Sequence, residues 1–170
     1  MRLTLTIIFV FLLFQCSCNT IIYKTSGGNI RDYSISKNIL KHINEARAKG
    51  RMCGNQYFEA AGPVAWNKQL AEASLQHSLD MAENGFLSHT GSNGDNLSER
   101  LLRVHYEWIY CAENIGHGYR NSEETVMSWL KSKMHCQNIM NPDFEEIGAA
   151  YAKSKTHRTY WTLIFGSPKH

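Results

Sequence analysis

VAWNKQLAEASLQHSLDMAENGFLSHTGSNG, residues 64–94, is the stretch from which the rest of the chain is read most directly. It predicts a helix from about Asn67 to Asn84, stopped by Gly85, because Leu70, Ala71, Ala73, Ser74, His77, Leu79 and Met81 recur on one long side. His77 lies on that side and reads as a hydrogen-bonded core histidine. From Phe86 to Asn96 the chain turns polar and glycine-rich, and this loop carries His89 in SHTG.

Upstream, Ser34 to about Lys49 places Ile35, Ile39, Leu40, Ile43 and Ala46 at helical spacing, with Ser34 or Ser36 as cap and Gly50 as stop. A loop through Gly62-Pro63 joins the two helices. Downstream, a short helix over Leu97–Val104 is capped by Asn96. AENIGHGY (112–119) reads as a strand, and Ser122 caps a further helix with Glu123 and Glu124 near its positive end. His135 to Met140 adds a helical turn stopped by Asn141-Pro142. EIGAAYA (146–152) and TYWTLIF (159–165), separated by a polar turn, read as a hairpin. Helices first and an antiparallel pair last imply an α+β fold, with helices packed on both faces of a small sheet.

A chain of 170 residues has room for one ordinary domain, and 43% hydrophobic with 19% charged residues is a globular balance. The opening MRLTLTIIFVFLLFQCSCN has a basic start, an apolar core from Leu5 to Phe14 and small residues after it. That is the layout of a secretory signal peptide over 1–18, too short to span a bilayer comfortably. The alternative is a lipoprotein leader, with Cys18 or Cys16 bearing the lipid and tethering the domain to a membrane face. Residues 19–33 form a spacer before a domain over 34–168, and no other segment is apolar enough for a membrane. The net charge is +3, or +2 without the leader's Arg2, and no run of five basic residues occurs. Nucleic acid is therefore not an expected partner, and a monomer is expected. Export permits disulfides, but Cys53, Cys111 and Cys136 allow at most one bridge, so the domain rests on its apolar core.

Signatures for nucleotide binding, the nucleophile elbow and the standard zinc patterns are missing. GSNGDN (91–96) lacks the acidic spacing of a calcium loop and reads as a turn. Histidine is the informative residue type. His89, His135 and Glu113 come from three separate elements, and two imidazoles with a carboxylate can hold a divalent metal, the carboxylate serving as third ligand or as acid/base.

The quoted stretch, AENIGHGY (112–119), TVMSWLKSKMHCQNIMNPDFEEIGAAY (125–151) and YWTLIFGSP (160–168) together resemble the CAP superfamily. This superfamily comprises cysteine-rich secretory proteins, antigen 5 and pathogenesis-related proteins, and the likeness is strongest to its bacterial, secreted SCP branch. It runs from about Ile35 to Pro168. The resemblance implies an α-β-α sandwich, with a small central antiparallel sheet flanked by helices and a cleft built around two histidines and acidic residues. His89 falls on the first cleft histidine, Glu113 on the AEN glutamate and His135 on the second histidine. Animal members often carry a second glutamate three residues after the tryptophan matched by Trp129; here that residue is Ser132, so water, Asn93 or Ser132 would complete a metal site. Cys53 and Cys136 match a pair recurring in some bacterial members, which implies a bridge between them in preference to Cys53–Cys111. Such a bridge contributes on the order of 4 kcal/mol, and Cys111 is left as a buried, inert thiol.

The function this implies is a secreted or surface-tethered binding protein whose cleft takes a lipid, a metal ion such as Zn2+, or a cell-envelope component. The alternative is a divalent-metal-dependent hydrolase, with His89 and His135 as ligands and Glu113 as general base.

Overall fold

In the computed structural model, which describes residues 33–169, the elements follow in the order α1 (Tyr33–Arg47), β1 (Arg51–Cys53), β2 (Gln56–Phe58), β3 (Ala65–Trp66), α2 (Lys68–Asn84), α3 (Leu97–Arg103), β4 (Trp108–His117), α4 (Ser122–Lys131), α5 (Lys133–Met140), β5 (Glu146–Lys153) and β6 (Thr159–Pro168). The expected leader over 1–18, with Cys18 or Cys16 as the candidate lipid-bearing residue, and the expected spacer up to residue 32 lie outside the described residues. Among the described residues, no helix is long and apolar enough to cross a membrane.

Local chemistry sets the helix ends. The Asn67 side chain accepts from the amides of Gln69 and Leu70, and Gly85 closes α2 in the left-handed region at φ 71°. A β-carbon is disfavoured there, so glycine ends the helix at least cost. Asn96 and Glu99 form a reciprocal capping box at the start of α3. Two capping expectations are corrected. The cap of α4 is Asn121, whose side chain accepts from the Glu124 amide, and Ser122 is the first helical residue. Helix α1 begins at Tyr33, ahead of Ser34 and Ser36, so neither serine precedes it.

The strands form a two-stranded hairpin, β1–β2, and a four-stranded sheet ordered β3-β5-β6-β4. The β5–β6 hairpin pairs antiparallel from Glu146↔Gly166 to Lys153↔Thr159, as expected, and β4 pairs antiparallel with β6. The added strand β3 runs parallel to β5, so the sheet is antiparallel except at that edge. Every residue of β6 before Pro168 is buried, as a central strand covered on both faces requires.

Alternation along β6 divides two layers. Trp161, Leu163 and Phe165 join Ile39 and Ile43 of α1, Val126 and Trp129 of α4, and Ile139 and Met140 of α5 in one apolar cluster. Ile164 packs with Leu70 and Ala73 of α2 and Leu101 of α3, while Tyr160 packs with Met81 of α2. The result is the α-β-α sandwich. Helix α2 lies so close to β5 that a β-carbon at Gly148 would run into the backbone of Leu70 and Ala71. Ser74 Oγ uses that approach to donate to the Gly148 carbonyl at 2.9 Å.

Cys53 of β1 and Cys136 of α5 form the disulfide, 83 residues apart, and both are fully buried. Cys111 is free and half-buried, and its thiol is pushed above its ordinary pKa by burial and then by the Glu113 charge. The raised pKa disfavours the reactive thiolate, although the residue is partly exposed and not buried as expected.

Candidate functional site

Glu113 sits in the middle of β4, its side chain 3% exposed. A buried carboxylate is costly unless its charge is met and its oxygens accept hydrogen bonds. Both conditions hold. Arg100 of α3 donates from Nη2 to Glu113 Oε2 at 2.7 Å, and His89 stands with Nδ1 2.8 Å from Oε1.

The loop after α2 delivers His89. Ser92 N–H donates to Asp80 Oδ2 at 2.7 Å, which pins the loop back onto α2, and His77 Nε2 donates to the Ser88 carbonyl at 2.8 Å. Arg100 also donates from Nη1 to the His89 carbonyl at 3.1 Å. One guanidinium therefore fixes the backbone of His89 and the carboxylate that its ring touches. The other end of the ring is open, since the His89 side chain is 59% exposed. An ionised carboxylate only accepts, so Nδ1 carries the proton and Nε2 turns its lone pair outward.

His135 lies in α5. Its carbonyl accepts from Asn114 Nδ2 at 3.1 Å, and Asn138 Nδ2 donates to Asn114 Oδ1 at 2.8 Å. These contacts hold α5 against β4 next to Glu113. Burial, followed by the electrostatic influence of His89, pushes the His135 pKa below the ordinary imidazole value. His135 is consequently neutral at pH 7, with a lone pair available.

Two of the three expected residues, His89 and Glu113, are thus joined directly, and His135 is close enough for His89 to bias its protonation. Among the described residues, no group of three His, Cys, Asp or Glu side chains comes together so as to hold a metal ion. Asn93 Oδ1 is committed to the Asp95 amide at 3.0 Å. Ser132 caps the start of α5, one helical turn before His135, without a side-chain capping bond. His117 is exposed beside the Tyr160 ring. His77 is the buried histidine expected, though among the described residues only Nε2 finds a hydrogen-bond partner.

Sequence reasoning misses Arg100. A basic residue in the last turn of a short helix ordinarily reads as dipole compensation, and nothing in its local sequence signals a buried ion pair. Its importance yields a prediction. Glu113→Gln is expected to destabilise the fold by about 3 kcal/mol in urea unfolding, because Arg100 keeps a buried charge without its main counter-ion. Removing both charges in Glu113→Gln/Arg100→Gln should recover part of that loss.

A small sheet flanked by helices on both faces is the architecture of SCP-type domains. The profile described as "CAP: Cysteine-rich secretory protein family" matches residues 40–165, and the chain belongs to that family. The uncharacterized membrane protein YlbC of Bacillus subtilis (strain 168) is 31% identical over 102 residues, which span 60% of this chain and 28% of that one. The fold is similar to that of an extracellular protein containing an SCP domain from Bacillus anthracis str. Ames, with TM-score 0.65 and 24% identity, covering 78% of this chain and 40% of the other. It is likewise similar to an outer surface protein from Borrelia burgdorferi, with TM-score 0.66 and 20% identity over 78% of this chain and 92% of that one. The chain therefore spans well under half of the YlbC and Bacillus anthracis proteins.

Proposed function

We propose that this chain is an extracellular, non-catalytic binding domain whose cleft takes a divalent cation through His89 Nε2 and neutral His135. The carrying observation is that both Glu113 oxygens already accept short hydrogen bonds, one from Arg100 and one from His89. A histidine that gives its second ring N–H to a carboxylate is oriented and made more basic at the other nitrogen, as metal-bound histidines commonly are. Glu113 thereby suits a supporting role behind His89 better than the role of third ligand or of general base for a bound water. Two imidazoles leave the remaining coordination positions to water or to a ligand's own oxygens, through which a cell-envelope component or lipid headgroup can be held. A bound cation would supply Lewis acidity and a fixed positive charge. The residues themselves supply orientation, through the Arg100–Glu113–His89 chain. Placement outside the cytoplasm is supported by the leader over 1–18 and by the extracellular and outer-surface descriptions of the two structural relatives.

Calorimetric titration of zinc into the metal-stripped domain tests this reading. Micromolar or tighter binding is expected, abolished in His89→Ala/His135→Ala and weakened in Glu113→Gln. Equal affinity in the wild type and the double variant would overturn it.

A further inference from the structure

The turn between β5 and β6 carries an unbalanced charge. Lys153, Lys155, His157 and Arg158 are all exposed there, and from Ile147 to Lys169 the chain holds no acidic residue. The domain as a whole is nearly neutral. Outside residues 33–170 lie Arg2, Lys24, Arg31 and Asp32, which leaves fifteen basic against fourteen acidic residues within them. The cations of the turn are therefore a local feature and not a share of a general excess. Among the described residues, Lys153, Lys155 and Arg158 form no ion pair, whereas Arg120 on the adjoining loop is held by Glu124 at 3.1 Å and adds no free charge.

Hydrogen bonds fix the backbone from which these side chains project. Ser154 N–H donates to the Arg158 carbonyl at 2.8 Å, His157 N–H to the Ser154 carbonyl at 2.9 Å and Arg158 N–H to Ser154 Oγ at 3.2 Å. Lys155, Thr156 and His157 thus make a hairpin loop whose last position is left-handed, with His157 at φ 61°. Glycine is ordinarily favoured there, and a side chain that can carry charge stands in its place.

Position narrows the partner. Arg47, the last residue of α1, reaches the carbonyls of Ile139, Asn141 and Phe144 ahead of β5, and α1 packs back from there on β5 and α4. Its first residue, Tyr33, is thereby directed to the end at which β5 finishes, where the turn lies. In the lipoprotein reading of the leader, only the spacer separates Tyr33 from the lipid-bearing cysteine. One acyl chain holds a protein to a bilayer only marginally, and a basic patch beside it supplies the second signal that stable anchoring needs. Each Lys or Arg brought near anionic headgroups adds to that attraction.

We propose that the β5–β6 turn docks the domain onto the headgroups of an anionic phospholipid bilayer. The surface shares no residue with the His89–Glu113–His135 cleft and stands independently of the cation reading.

The test uses residues 33–170, which contain all three apolar clusters and the disulfide and carry no lipid. They are floated at low salt with vesicles of phosphatidylcholine alone, or with about one-third phosphatidylglycerol. Binding to the anionic vesicles alone is expected, and Lys155→Glu/Arg158→Glu should weaken it at least about tenfold at an unchanged urea midpoint. Lys49→Glu/Lys68→Glu makes the same change in net charge at exposed positions after α1 and at the start of α2, and should keep most of the binding. Equal weakening by the two pairs would reduce the effect to net charge and overturn the proposal. Equal binding to neutral vesicles, or binding to neither, would overturn it as well. Tighter binding to soluble poly(glycerol phosphate), lost in the turn variant, would assign the turn to a wall polymer, and self-association without vesicles would assign it to a second copy. Either result would contradict the bilayer assignment.

Discussion

Arg47→Ala is expected to remove about 5 kcal/mol of stability, enough to unfold many domains of this size. Arg47 is the last residue of α1 and is 1% exposed. Its guanidinium donates to four backbone carbonyls: Nε to Gly62 at 2.6 Å, Nη1 to Ile139 at 2.9 Å and Asn141 at 2.7 Å, and Nη2 to Phe144 at 3.2 Å. These carbonyls belong to the loop before β3, the C-terminal end of α5 and the turn leading into β5. One side chain therefore joins three separate segments. Among the described residues none of these hydrogen bonds goes to a carboxylate; the cation is met by carbonyl dipoles, including the negative end of α5. Burial lowers its pKa from the ordinary guanidinium value, yet arginine remains charged. Truncation leaves buried carbonyls unmet at about 1–3 kcal/mol each, offset in part by the charge no longer desolvated. Arg47→Lys retains the charge but not the planar fork that reaches four acceptors, so it should fall between the two. Urea unfolding measures both. A loss below about 1 kcal/mol, the size of a surface contact, would show that the four bonds are replaceable.

Reduction of Cys53–Cys136 is the second large effect, with an expected cost of about 4 kcal/mol from the 83-residue separation it closes. The bridge also has a local task. Strands β1 and β2 have three residues each, and their facing pair Met52↔Tyr57 is more than half exposed on both sides. Such a hairpin cannot hold itself in water, and Cys53 is its fully buried anchor. Hydrogen exchange should accordingly rise first in 51–58 when the bond is reduced or when Cys53→Ala/Cys136→Ala is introduced. Uniform loss of protection across the sheet would instead make the bridge a global constraint only.

The parts of the fold that were legible are those with strong local chemistry. Asn67, Gly85 and Asn96 mark helix ends because an amide side chain or a left-handed backbone is needed there. TYWTLIF reads as a strand because β-branched and aromatic residues crowd a segment buried on both faces. The β1–β2 hairpin escaped because three residues are too few for alternation to register; its signal was Gly54-Asn55, a two-residue turn with Gly54 at φ 64°. Strand β3, with two residues, has no periodicity at all. Asn121 is the cap of α4 because it is the last residue with extended backbone, from which an amide oxygen accepts from the Glu124 N–H three residues on, while Ser122 is already helical. In the site, His89, Glu113 and His135 stand in recognisable blocks, so resemblance located them. What resemblance left out is the charge balance. The burial of Glu113 depends on Arg100 from a different element, and such a pairing exists only once β4 and α3 are folded together.

The tautomer of His89 tests that account most directly. Long-range proton–nitrogen correlation spectra of the imidazole rings, recorded at neutral pH without metal, distinguish a proton on Nδ1 from one on Nε2. If Glu113 stays ionised against Arg100 and accepts from His89, the wild type shows the Nδ1–H form with a free Nε2 lone pair. In Glu113→Gln the amide's single oxygen cannot serve both donors equally, and the Nε2–H form should gain population. A wild-type His89 protonated on Nε2 would contradict the arrangement at its centre, and with it the outward lone pair on which cation binding depends.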